Sequence, residues 1–153
     1  MQSIEVQREI PAPREAVWSL LTDSSRCARW AGFHEVVVRQ QGDPPPEGLG
    51  AIRVLRGGGI ALEEEITAYD PPRLLGYRLT AGLPIRDHRA AVLLETRIGG
   101  TRLTWTARFR SPVPLLGSLV RMRYRRTLER LTERLAAELG TEACHADDPE
   151  TTE

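Results

Sequence analysis

Thr101-Arg102-Leu103-Thr104-Trp105-Thr106-Ala107-Arg108-Phe109-Arg110 alternates residue by residue, and the segment 116–139 behind it does not. In the first stretch Leu103, Trp105, Ala107 and Phe109 share one face of an extended strand. Arg102, Thr104, Thr106 and Arg108 share the other. From Leu116 onward the period changes. Leu116, Val120, Tyr124, Leu128, Leu131, Leu135 and Leu139 recur every three or four residues, which is the apolar stripe of one long helix. Arg123, Arg126, Arg130 and Arg134 occupy its other faces, with Glu129, Glu133 and Glu138 as helical neighbours. Gly140 is expected to cap the helix. Residues 141–153 are acidic and aperiodic, and a disordered tail is expected there.

Working backward from this junction, short alternating runs are separated by turn residues. Ile4, Val6 and Ile10 mark a first strand, stopped by Pro11 and Pro13. Pro13 suits the first turn of a helix, and Val17, Leu20 and Leu21 give that helix one apolar face. Asp23 and Ser24 can cap a second short helix that ends at Trp30. A second strand is expected around Val36-Val37-Val38, and 42–50, with Pro44-Pro45-Pro46 inside it, reads as a loop. The sequence leaves open whether that loop acts as a lid. Further strands are expected over 51–56, 60–69, 73–80, 88–98 and 101–110, divided by Gly57-Gly58-Gly59, Asp70-Pro71-Pro72, Gly82 and Gly99-Gly100. The fold expected is α+β: a curved antiparallel sheet of seven strands wrapped around a long C-terminal helix, with two short helices after the first strand. One domain is expected over 1–140.

The 153 residues are 41% apolar and 27% charged, an ordinary globular mix. Lys+Arg and Asp+Glu both number 21, so no global field steers the chain to nucleic acid. The arginines of the last helix alternate with glutamates and read as a solvated face. Cys27 and Cys144 form neither a disulfide framework nor a C-x-x-C pair. The start lacks the basic and apolar runs of a signal peptide, and no apolar stretch approaches a membrane span, so a cytoplasmic protein without membrane insertion is expected. His34, His88 and His145 lack metal-ligand spacing. Gly57-Gly58-Gly59 lacks the Lys-Ser/Thr of a phosphate loop, and no Gly-x-Ser-x-Gly elbow is present. Neither a metal nor a cofactor is expected.

Specific residues also carry a family likeness. Ile10-Pro11-Ala12-Pro13-Arg14-Glu15-Ala16-Val17-Trp18-Ser19-Leu20-Leu21-Thr22-Asp23 resembles the opening of bacterial polyketide cyclase/dehydrase-like proteins, which group with the START and Bet v 1-like helix-grip families. Arg29-Trp30, Asp70-Pro71-Pro72-Arg73 with the following Tyr77, and Gly100-Thr101-Arg102-Leu103-Thr104-Trp105 resemble later elements of the same family, in order. The resemblance covers about 3–139 and implies the helix-grip fold with a pocket between sheet and helix. It implies no single reaction: relatives bind lipids, sterols, hormones, quinones or polyketides, some close and dehydrate aromatic rings, and others are transfer proteins, receptors or co-chaperones.

Strand alternation selects the residues that face such a pocket. Leu62, Glu64 and Ile66 share a face, as do Leu75, Tyr77 and Leu79, and His88, Ala90, Val92 and Leu94. Between Ala51, Arg53 and Leu55 and the opposing Ile52 and Val54, the inward set is open. The expected lining is Trp30, Arg53, Glu64, Tyr77, His88 and Trp105 from the sheet side, with Leu116, Val120, Tyr124 and Leu128 from the helix. Each has a plainer alternative. Trp105 can be core alone, Trp30 can form the pocket mouth or pack its helix on the sheet, and Trp18 reads as packing. Tyr77 can donate to a ligand or to a neighbour. His88 can be an acid or base, or a satisfied core or surface residue. Glu64, if inward, needs a partner such as Arg53 or a raised pKa; otherwise Glu63-Glu64-Glu65 is a solvated edge. Arg53 can polarise a ligand oxygen or sit in a surface ion pair.

Three functions follow. The first is binding of a hydrophobic small molecule, lipid-like or polyketide-like, by a monomer or homodimer. The second is a polyketide cyclase or dehydratase in which Arg53 polarises a carbonyl, Tyr77 gives a proton and Glu64 or His88 removes one. The third is a co-chaperone-like interaction module, with a filled interior and an exposed apolar patch.

Overall fold

The structure, a computed structural model, describes residues 1–146. The chain runs β1 (Gln2–Ile10), α1 (Arg14–Leu21), α2 (Ser24–Ala31), β2 (Glu35–Gln40), β3 (Ile52–Gly57), β4 (Ile60–Asp70), β5 (Leu74–Ala81), β6 (Arg86–Arg97), β7 (Gly100–Arg110) and α3 (Gly117–Ala146). The seven strands form one antiparallel sheet in the order β1-β7-β6-β5-β4-β3-β2. Consecutive strands from β2 to β7 are neighbours, and β1 closes on β7. This is the expected order of elements.

Alternation decides what the concave face holds. Leu103, Trp105, Ala107 and Phe109 are all buried, as are His88, Ala90, Val92 and Leu94 of β6. In β3 the open choice resolves to Ala51, Arg53 and Leu55 facing inward. α3 lies across this face and buries Leu128, Leu135 and Leu139. Trp18 of α1 packs edge-on against Tyr69, with ring centroids 5.2 Å apart.

The second short helix is fixed at both ends. The Asp23 carboxylate accepts from the backbone N–H of Ser25 and Arg26 and caps α2, and the Ser25 hydroxyl helps to lower its pKa. Gly32 ends the helix at φ +80°, where a side chain would be strained and would collide with the Arg134 guanidinium. Arg134 Nη1 donates to the Ala31 carbonyl at 3.1 Å, and Arg29 pairs with Glu138 at 2.6 Å, so α2 is tied to α3.

Two expectations at the ends of α3 are corrected. Gly140 does not end the helix, which continues to Ala146. Residues 141–146 are therefore helical, while 147–153 lie outside the described residues. A glycine inside a helix costs only about 1 kcal/mol relative to alanine, and good helix formers such as Glu138, Leu139, Glu142 and Ala143 stand close by in the sequence. Leu116 sits before the first helical residue and is 46% exposed, because the stripe's period has no meaning outside the helix.

Candidate ligand cavity

Between the sheet, α2 and α3 lies a cavity of about 580 Å³. That volume is within the usual range for a small-molecule site. Trp30, Arg53, Glu64, Tyr77, Trp105, Val120, Tyr124 and Leu128 line it, all drawn from the expected set. His88 and Leu116 are absent from the lining. Leu21, Cys27, Phe33, Leu62, Leu79, Ile85, Val92 and Leu131 add further apolar wall. The Trp30 indole N–H donates to the Leu20 carbonyl of α1 at 3.2 Å, and its ring forms part of the cavity wall. Burial pushes the Cys27 thiol up to about 11, so it stays protonated and behaves as an apolar wall group.

Polar groups gather at two places. The first is built on the β3–β4 hairpin, whose register sets Arg53 directly opposite Glu64. Arg53 Nε donates to Glu64 Oε1 at 2.7 Å, and Nη2 donates to the same oxygen. Arg53 Nη1 donates to the Leu21 carbonyl at 3.1 Å and to Glu47 Oε1 at 3.2 Å. All three side chains are buried. Arg53 is held above its ordinary pKa, because the charges of Glu64 and Glu47 outweigh its own desolvation. Glu64 is thus inward and paired, and the solvated-edge alternative falls.

Sequence reasoning missed Glu47. It lies in the proline-rich loop, where no period distinguishes inward from outward. Glu47 Oε2 accepts from the Ser24 backbone N–H at 3.0 Å, and Oε1 accepts from the Ser24 hydroxyl as well as from Arg53. The loop is thereby pinned to the first residue of α2, where N–H groups and the helix dipole favour a carboxylate. A signal was present: a lone acid between prolines and glycines, facing a second helix whose N-terminus needs acceptors.

The second polar place is a chain of hydrogen bonds from β5 through β6 to α3. His88 Nδ1 accepts from the Leu79 backbone N–H at 3.0 Å, so the neutral ring carries its proton on Nε2. Nε2 then donates to the Tyr124 hydroxyl at 2.8 Å. Burial lowers the His88 pKa to about 4, so the ring is neutral at neutral pH. His88 shares the inner face with Ala90, Val92 and Leu94, and the pairing of β6 with β7 shifts register between Arg86 and Arg89. Nearby, Trp105 Nε1 donates to the Tyr77 hydroxyl at 3.0 Å. Burial and the charge of Glu64 hold both tyrosines above their ordinary pKa, so both stay protonated.

The cavity thus combines apolar walls with neutral hydroxyls and a buried charged cluster. A family model described as polyketide cyclase / dehydrase and lipid transport matches residues 1–138. The chain belongs to this family. No curated protein matches it by sequence. Among solved structures, a START superfamily protein from Mycobacterium smegmatis superposes with a TM-score of 0.78 at 14% identity, covering 91% of this chain and 97% of that one. Ara h 8.0201 gives 0.72 at 12% identity, covering 92% and 98%. DynU16, from the dynemicin biosynthetic locus, gives 0.71 at 22% identity, covering 93% of this chain and 48% of that one. At such identities these likenesses carry the fold alone. The polyketide cyclase/dehydrase family member described here therefore has the helix-grip fold expected from its sequence. Among the described residues, no helix is long and apolar enough to cross a membrane.

Proposed function

We propose that the protein binds a hydrophobic small molecule, lipid-like or polyketide-like, in the cavity between sheet and α3. The single observation behind this reading is the cavity itself: about 580 Å³ lined mostly by apolar side chains, with few polar groups. Ligand affinity would come mainly from apolar area removed from water, at roughly 25 cal/mol per Å² before ordering costs. Trp30, Tyr77, Trp105, Val120, Tyr124 and Leu128 are the contact residues on this reading. An interaction module predicts a filled interior as well as an exposed apolar patch. Val113, Leu115, Leu116, Leu119 and Met122 supply such exposure, but the interior is not filled.

Binding is preferred to catalysis because two of the candidate catalytic groups, Arg53 and His88, are engaged. Arg53 spends its donors on Glu64, Glu47 and the Leu21 carbonyl, leaving little to polarise a substrate carbonyl. Both His88 nitrogens are hydrogen-bonded, and its low pKa makes it a weak base.

Native mass spectrometry of the purified protein, compared with the same sample denatured, tests the proposal. Added mass lost on denaturation, or saturable binding of an apolar fluorescent probe such as 1-anilinonaphthalene-8-sulfonate, is the expected result. A bare protein that also ignores the probe contradicts it.

A further inference from the structure

The Arg53 cluster carries more negative than positive charge. Two carboxylates, Glu47 and Glu64, face one guanidinium. Glu47 has other support, from the Ser24 N–H and hydroxyl at the start of α2. Glu64 has none. Both of its hydrogen bonds come from Arg53 and both end on Oε1. Among the described residues, Glu64 Oε2 accepts no hydrogen bond. The Glu64 side chain is more than nine-tenths buried, lines the cavity, and has no sealed, orphaned oxygen. Oε2 therefore opens onto the cavity.

The Glu64 charge also acts on Tyr77 and Tyr124, which line the same cavity, and Tyr77 stands diagonally from Glu64 on the neighbouring strand. A buried carboxylate oxygen without a donor is costly, and a buried excess charge costs more. A neutral carbonyl brings no donor, and a carboxylate ligand adds repulsion. An alcohol supplies a donor without a charge. A protonated amine supplies donor and charge together, and ionic hydrogen bonds are about twice as strong as neutral ones. The exposed Arg123 on the lining bears a charge that solvent screens, so Glu64 governs the interior.

We infer that the cavity is built for a cationic amphiphile, an apolar body bearing a protonated amine that sits on Glu64 Oε2 beside the hydroxyls of Tyr77 and Tyr124. This inference rests on the cavity being a ligand site, and it names the ligand's chemical class.

Three probes with one body separate the possibilities: 1-naphthylmethylamine, 1-naphthalenemethanol and 1-naphthoate. Their dissociation constants are measured by calorimetry at neutral pH on the full chain and on Glu64→Gln. The amine is expected to bind the natural chain about tenfold more tightly than the alcohol, with the carboxylate weakest. In Glu64→Gln the amine's advantage over the alcohol is expected to vanish. If the alcohol binds but the amine gains nothing, or if the carboxylate equals the amine, the inference fails and the cavity reading stands. If none of the three binds, the cavity reading fails and takes the inference with it. The comparison on the natural chain decides the matter even if Glu64→Gln does not fold.

Discussion

His88 shows how the sequence can place a side chain on the right face and leave its depth open. The alternation His88, Ala90, Val92, Leu94 puts it on the inner face, and it is buried there. Depth is what alternation cannot supply. His88 sits behind Tyr124, fixed by the Leu79 N–H, rather than in the cavity wall. Its burial has a consequence for stability. The unfolded imidazole titrates near 6.5 and the folded one near 4, so on acidification the unfolded chain takes up the proton first. The contribution is complete above about pH 6.5, declines between 6.5 and about 4, and is gone below that, a loss of about 3 kcal/mol. Urea unfolding across this window should show the decline in the natural chain and a shallower one in His88→Gln. Parallel decline in both would refute the assignment. The Arg53–Glu64 pair was legible as one of two options, because the glycine turn between β3 and β4 sets them opposite one another. Glu47 was not, since its loop has no period.

At the scale of elements, the strands and their faces follow from period-two patterning, and the core of α3 from its stripe. The failures lie at the ends of α3. Leu116 and Gly140 are both places where a local rule was extended past the element that gives it meaning. The 42–50 loop belongs to the same scale. Its backbone closes on itself, with Asp43 and Leu49 exchanging hydrogen bonds at 2.9 and 3.0 Å, and Glu47 anchors it to α2 and β3. This geometry describes a fixed strap more than a swinging lid. Glu47→Ala removes an acceptor from the Ser24 N–H and a partner from Arg53, and is expected to cost about 1–3 kcal/mol. Hydrogen exchange should then quicken at Gly42, Gly48 and Leu49 while the amides of β6 and β7 keep their protection. Unchanged exchange in the loop would show that the carboxylate does not hold it.

At the scale of the whole molecule, a sheet curved around one helix leaves more interior than its side chains fill. The sequence conveys that architecture because the order of periods is nearly unique to it. It conveys the cavity less well, because a missing volume has no residue to mark it. The central claim is that this space receives an apolar ligand. The most direct test follows the indole N–H resonances of Trp105 and Trp30 by NMR as 1-naphthalenemethanol is added, in the natural chain and in Val120→Trp, which places a ring in the space. Saturable shifts of the Trp105 and Trp30 signals, lost or much weakened in Val120→Trp, are the predicted result. No saturable shift in the natural chain, or equal affinity in the filled variant, would contradict the claim.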